Sequence, residues 1–187
     1  MKACQFIIII PHNDGLKPFL DYRQKLFSLG VEGSYSFPLS IPLAEIKKPF
    51  SREELKELAV KIREFSDLKN GKITSKGNNI ISSLGGFSFF GPEVELPSDK
   101  DFFSGVTKDK IIEASSPPVL CCALIAALTK GENFPPAPAL SFRAAKLTNL
   151  FIKPLACGNS FSFEWEMDLP VWLPQYKRKK VLPKKFG

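Results

Sequence analysis

The chain turns wholly apolar within its first ten residues, where Phe6-Ile7-Ile8-Ile9-Ile10-Pro11 follows Gln5. A β-prone run without alternation suits a strand buried on both faces, so residues 4–10 are predicted to form a central strand. The pattern then changes period. Leu16, Phe19, Leu20, Tyr22, Leu26, Phe27 and Leu29 predict a helix that Asn13 or Asp14 caps and Gly30 stops. Val31 to Ile46 reads as two extended pieces broken at Pro38 or Pro42. Ser51-Arg52-Glu53-Glu54 is a capping box, in which the serine hydroxyl accepts an early backbone N–H and Glu54 reaches back. Leu55, Leu58, Ala59, Ile62 and Phe65 follow at helical spacing, predicting about four to five turns with one buried face.

After a turn at Lys69-Asn70-Gly71-Lys72, residues 72–96 read as strands with breaks at Gly85-Gly86 and Gly91-Pro92. A shorter helix is predicted over 118–128. Pro135-Pro136-Ala137-Pro138 resets the chain into extended form, because a residue before proline avoids the helical region. Phe161, Phe163, Trp165 and Met167 alternate with Ser162, Glu164, Glu166 and Asp168, a strand with one apolar and one acidic face. The order β-α-β-β-α-β-β, then further strands around a helix, predicts an α+β fold with mostly antiparallel pairing.

Composition narrows the chemistry. A chain of 187 residues, 44% hydrophobic and with 17 Phe, can bury one sizeable core or two lobes sharing one. Its single histidine, His12, excludes proton relays between two imidazoles and zinc sites built on two or three histidines. Cys4, Cys121, Cys122 and Cys157 form no CxxC pair, so they read as reduced thiols of a cytoplasmic protein. The longest apolar run, Val119–Leu128, falls well short of the roughly 20 residues that cross a bilayer, and no membrane association is expected. Of the net charge of +7, Lys177, Arg178, Lys179, Lys180, Lys184 and Lys185 contribute six, leaving +1 for the body. This tail reads either as a solvated terminus or as an arm for an acidic partner. No GxxxxGK[ST], GxGxxG or GxSxG motif occurs. Phe87, Phe89 and Phe90 beside Gly85-Gly86 read as core at a strand corner, although exposed aromatics beside a basic strip stack bases.

The segment Phe37-Pro38-Leu39-Ser40-Ile41-Pro42-Leu43, followed by Lys48-Pro49-Phe50 and the capped helix, resembles the first half of a two-histidine phosphoesterase. That superfamily includes the bacterial RNA 2′,3′-cyclic phosphodiesterases, also called 2′-5′ RNA ligases. Its members carry a His-x-Thr/Ser strand in each half, the two strands lining a cleft between lobes. Here the first motif falls on Ser40-Ile41-Pro42-Leu43 and the second on Ala139-Leu140-Ser141-Phe142. The resemblance covers about Cys4 to Pro174. It implies two-lobed, pseudo-symmetric antiparallel sheets with helices packed outside, residues 1–176 forming one domain and 177–187 a basic tail.

In the family one histidine is general base and the other general acid, while the neighbouring hydroxyls hold phosphate oxygens. Ser40 and Ala139 stand at the histidine positions, Pro42 at one hydroxyl position and Ser141 at the other. Neither serine nor alanine replaces imidazole in proton transfer, a contribution of about 10²–10⁴-fold. The resemblance therefore implies a scaffold with no catalytic residue, no cofactor and no metal. Its cleft is expected to bind a nucleotide or RNA end through Ser40, Ser141 and Arg143, since a guanidinium grips phosphate with two parallel hydrogen bonds. Two alternatives stand beside this expectation. One is a protein-interaction module whose cleft is filled by apolar side chains. The other is a phosphodiesterase using His12 with Asp14, or Glu164 and Glu166.

Overall fold

The computed structural model of the chain describes residues 4–35, 37–48, 50–51, 53–54, 71–97, 103, 109–114, 117–125, 133–154 and 161–162. The first apolar run forms β1 (Cys4–Pro11), paired antiparallel with β2 (Ile41–Ile46) on one side and β7 (Ser141–Pro154) on the other. Ile7 and Ile9 join one core cluster, Phe6 and Ile8 another, which accounts for a strand apolar at every position. The remaining strands are β3 (Lys72–Leu84), β4 (Phe87–Glu95), β5 (Ile111–Glu113), β6 (Ala123–Ile125) and β8 (Phe161–Ser162). They form one antiparallel sheet in the order β5-β2-β1-β7-β3-β4-β6, with β8 pairing β7 off this path. Among the described residues the fold is α+β: the helix α1 (Lys17–Ser28) packed on that sheet.

The sheet is strongly curled. Strands β1 and β4 are three steps apart, about 14 Å in a flat sheet at the usual strand spacing. Yet the Phe6 and Phe89 rings meet edge to face at 5.7 Å between centroids, and Phe6 and Phe87 at 5.8 Å. The path also returns on itself. Ser40, just before β2, forms an antiparallel bridge with Cys121, just before β6, and the Cys121 N–H donates to the Ser40 carbonyl at 2.8 Å. Inside the curl, Phe6, Ile8, Phe37, Leu84, Phe87 and Phe89 form one apolar cluster. The other face of β1 packs with Phe19, Tyr22 and Leu26 of α1.

Several expected boundaries move. The helix starts at Lys17, with Leu16 rather than Asn13 or Asp14 at the cap and no side-chain cap bond. Gly15, at φ +87°, interrupts the helical backbone before it, and Pro18 fits the first turn, where its missing N–H is not needed. The predicted stop is correct. Gly30 (φ +89°) closes α1 with a pair of crossed bonds, Gly30 N–H to Phe27 O at 2.9 Å and Val31 N–H to Leu26 O at 3.0 Å. Residues 32–35 form a 3-10 turn (Glu32–Tyr35) rather than an extended piece. Pro42 lies within β2, beside a register shift at Ile7/Ile8 that leaves Leu43 unpaired, the irregularity an inner-strand proline needs.

The helix expected over 118–128 is absent from its described part. Val119 bridges Glu93, Cys121 bridges Ser40, and Ala123–Ile125 is β6. A short apolar run fits either a buried helix or a buried strand, and here pairing with β4 selects the strand. Gly91-Pro92 is likewise no break, because β4 runs through it. A Cβ on Gly91 would lie 2.0 Å from the Leu120 carbonyl oxygen, so the crossing of this segment requires glycine.

The capping box forms as predicted. The Ser51 N–H donates to Glu54 Oε2 at 2.7 Å and the Glu54 N–H to Ser51 Oγ at 3.2 Å. The Lys110 ammonium and the Ser51 N–H hold the Glu54 carboxyl below the usual carboxylate range. The helix expected beyond Glu54, the turn expected at 69–70, Cys157, the acidic-faced strand expected beyond Ser162 and the basic tail lie outside the described residues. Cys121 joins the inner cluster and Cys122 the α1-facing one, so these adjacent thiols point to opposite faces. Burial raises both, Cys122 to about 12, which keeps them protonated and unreactive at neutral pH. Among the described residues, no helix is long and apolar enough to cross a membrane.

Candidate anion-binding face

Strict alternation at the start of β7 and of β3 builds the site. Phe142 and Ala144 are buried, whereas Ser141 and Arg143 are exposed. On β3, Ile73 and Ser75 are buried, whereas Lys72 and Thr74 are exposed. The ladder pairs Lys72 with Arg143, Ile73 with Phe142 and Thr74 with Ser141. Partners directly opposite share a face, so the four exposed polar groups stand together on one side. The other side is fixed by packing: Phe142 meets Phe19 of α1 edge to face, 5.4 Å between centroids.

Two rows result. In the first, Lys72 and Arg143 stand directly opposite each other. No ion pair among the described residues engages either one. Like charges so placed are destabilising by roughly 0.2–1 kcal/mol. The second row joins Thr74 Oγ1 and Ser141 Oγ in a 3.1 Å hydrogen bond. Glu95, exposed, pairs with Thr74 from β4. One row farther on, the Lys76 ammonium is 2.7 Å from Glu93 Oε1, which also receives a bond from Asn78 at its other oxygen, 2.8 Å. That contact raises the Lys76 pKa and holds Glu93 below its ordinary value, so Lys76 is already neutralised.

No family profile, curated protein or solved structure matches this chain. Its chemistry therefore rests on the residues themselves.

The two motif-equivalent segments have different surroundings. Ala139 is exposed and lies along β3, its Cβ 3.1 Å from where a Cβ on Gly77 would stand. It precedes Ser141 and Arg143, and the Ser75 N–H donates to the intervening Leu140 carbonyl at 2.9 Å. Ser40 and Pro42 are buried, and Ser40 Oγ donates to the Pro38 carbonyl at 3.1 Å. Strand β1 lies between β2 and β7, so Ser40 shares no ladder with Ala139 or Ser141. The structure brings Ser141 and Arg143 together and leaves Ser40 inside. The backbone bridge to Cys121 occupies its neighbourhood instead.

Lys72 and Thr74 were not singled out from the sequence. The alternation Lys72-Ile73-Thr74-Ser75-Lys76 marks a half-buried strand, but its partner is 67 residues away between Thr74 and Ser141. His12 Nδ1 lies 3.1 Å from Asp14 Oδ2 on the surface. Glu164 and Glu166 lie outside the described residues. Among the described residues, no three His, Cys, Asp or Glu side chains are placed to hold a metal ion.

Proposed function

We propose that this chain is a non-catalytic protein of the two-histidine phosphoesterase type that binds the terminal phosphate of a nucleotide or RNA. Arg143 and Lys72 supply the charge, and Ser141 and Thr74 supply hydroxyl donors. One observation carries the reading: Arg143, on the strand where the second motif falls, stands directly opposite Lys72 beside a hydroxyl pair, and no ion pair among the described residues engages either cation. A phosphate between them turns a repulsive pair into a bridged one. Serine and alanine at the motif positions support binding without proton transfer. The two-lobed architecture belongs to the same proposal.

The packing of Phe6, Phe37, Phe87 and Phe89 inside the curl favours a second reading, a protein-interaction module with a filled cleft. One pair of assays separates them. Calorimetric titration with nucleoside 2′-, 3′- and 5′-monophosphates is expected to show saturable, salt-sensitive binding. Incubation with 2′,3′-cyclic nucleotides is expected to leave them intact. Turnover abolished by His12→Ala would return the chain to the enzymes. No phosphate binding at low salt would leave the interaction module.

A further inference from the structure

The remaining side of the cationic row is taken by His12. Its backbone N–H donates to the Arg143 carbonyl at 2.7 Å, continuing the β1–β7 ladder one residue past Pro11. His12, Arg143 and Lys72 thus hold consecutive register positions across three strands, and all three are exposed.

The turn after β1 holds the ring in a defined way. The Asp14 N–H donates to His12 Nδ1 at 3.2 Å, so a neutral imidazole keeps its proton on Nε2. Asp14 Oδ2 lies 3.1 Å from the same Nδ1, ready to accept from it once a second proton binds. One residue therefore satisfies Nδ1 in both protonation states, and the ring need not turn. Nε2 remains a donor throughout, and only the charge changes.

We infer that protonation of His12 strengthens dianion binding at this face, making the site pH-sensitive; this rests on the phosphate-binding reading above. Among the described residues, the charged groups around His12 are Asp14 in its own turn, Arg143 on β7 and Lys72 beyond it on β3, with Glu95 flanking the hydroxyl row. An imidazolium at His12 and a dianion beside Arg143 attract each other, so proton and anion favour each other's binding, and the coupling is reciprocal. The ligand class is a dianionic phosphate monoester or its sulfate mimic.

Sulfate is the probe, because it stays dianionic across the range where imidazoles titrate, about pH 5 to 8. With the full chain at constant ionic strength, sulfate affinity is expected to be about three- to tenfold higher at pH 5.5 than at pH 8, the scale of one charge acting near a dianion at the surface. His12→Gln, which keeps an N–H donor but cannot titrate, is expected to flatten the profile. Binding with a flat profile in the unmodified chain would overturn the inference and leave the phosphate site standing. A pH dependence that survives in His12→Gln would overturn it equally, by assigning the proton elsewhere. Failure of both sulfate and nucleoside monophosphates to bind at any pH would remove the site itself.

Discussion

Replacing Phe89 by alanine is expected to lower the unfolding free energy by about 3–5 kcal/mol, the range for a fully buried aromatic. Phe89 is fully buried, and its ring meets those of Phe6 at 5.7 Å, Phe37 at 5.1 Å and Phe87 at 6.4 Å. These partners come from β1, from the segment before β2 and from β4 itself, so truncation opens a cavity that no single strand can collapse to fill. Edge-to-face geometry adds about 0.5–1.5 kcal/mol per pair beyond the area buried. Urea unfolding monitored by circular dichroism measures the change. Ile81→Ala is the control, because Ile81 is on the adjacent strand but 41% exposed. A Phe89→Ala cost no larger than the control would mean the sheet does not close around this ring.

The second large effect is on binding rather than stability. Arg143→Ala is expected to weaken nucleoside monophosphate binding by at least about tenfold, the value of a charge-assisted hydrogen bond. Lys72→Ala is expected to lose less, because an ammonium contacts phosphate as a point charge and not as a fork. Both substitutions relieve the repulsion across the ladder, so stability is expected to hold or rise by a few tenths of a kcal/mol. Loss of binding together with unchanged stability separates a ligand-holding pair from one that merely fills a strand. Arg143→Lys is expected to recover part of the affinity. Calorimetry and thermal unfolding on the same samples give both readings.

Local chemistry made parts of this fold legible. The run at Phe6–Ile10 called for two covered faces and has them. Gly30 ends α1 through a left-handed residue, and Ser51 and Glu54 exchange their cap bonds. What the sequence hid is set by pairing over long distances. Residues 118–125 are apolar enough for a buried helix, and only the contact with β4 makes them extended. Pro42 resembles a strand end, yet a bulge opposite Ile7/Ile8 accommodates it within β2.

The site divides along the same line. Ser141 and Arg143 share a face because they are two apart on a strand, a relation visible in the sequence alone. Lys72 and Thr74 join them only through the register of β3 with β7. Ser40 looked equivalent to the second motif by its flanking prolines, but exposure is a tertiary property, and its bridge to Cys121 buries it. His12 ended an apolar run with no visible partner, and the ladder places it beside Arg143.

Mapping amide chemical-shift changes during titration with a ribonucleoside monophosphate tests the central assignment most directly. The largest changes are expected at residues 72–75 and 141–144, with His12 among them. Changes confined to the inner aromatic cluster, to the exposed face of α1 or to the basic residues 177–185, with none on the β3–β7 ladder, would contradict it.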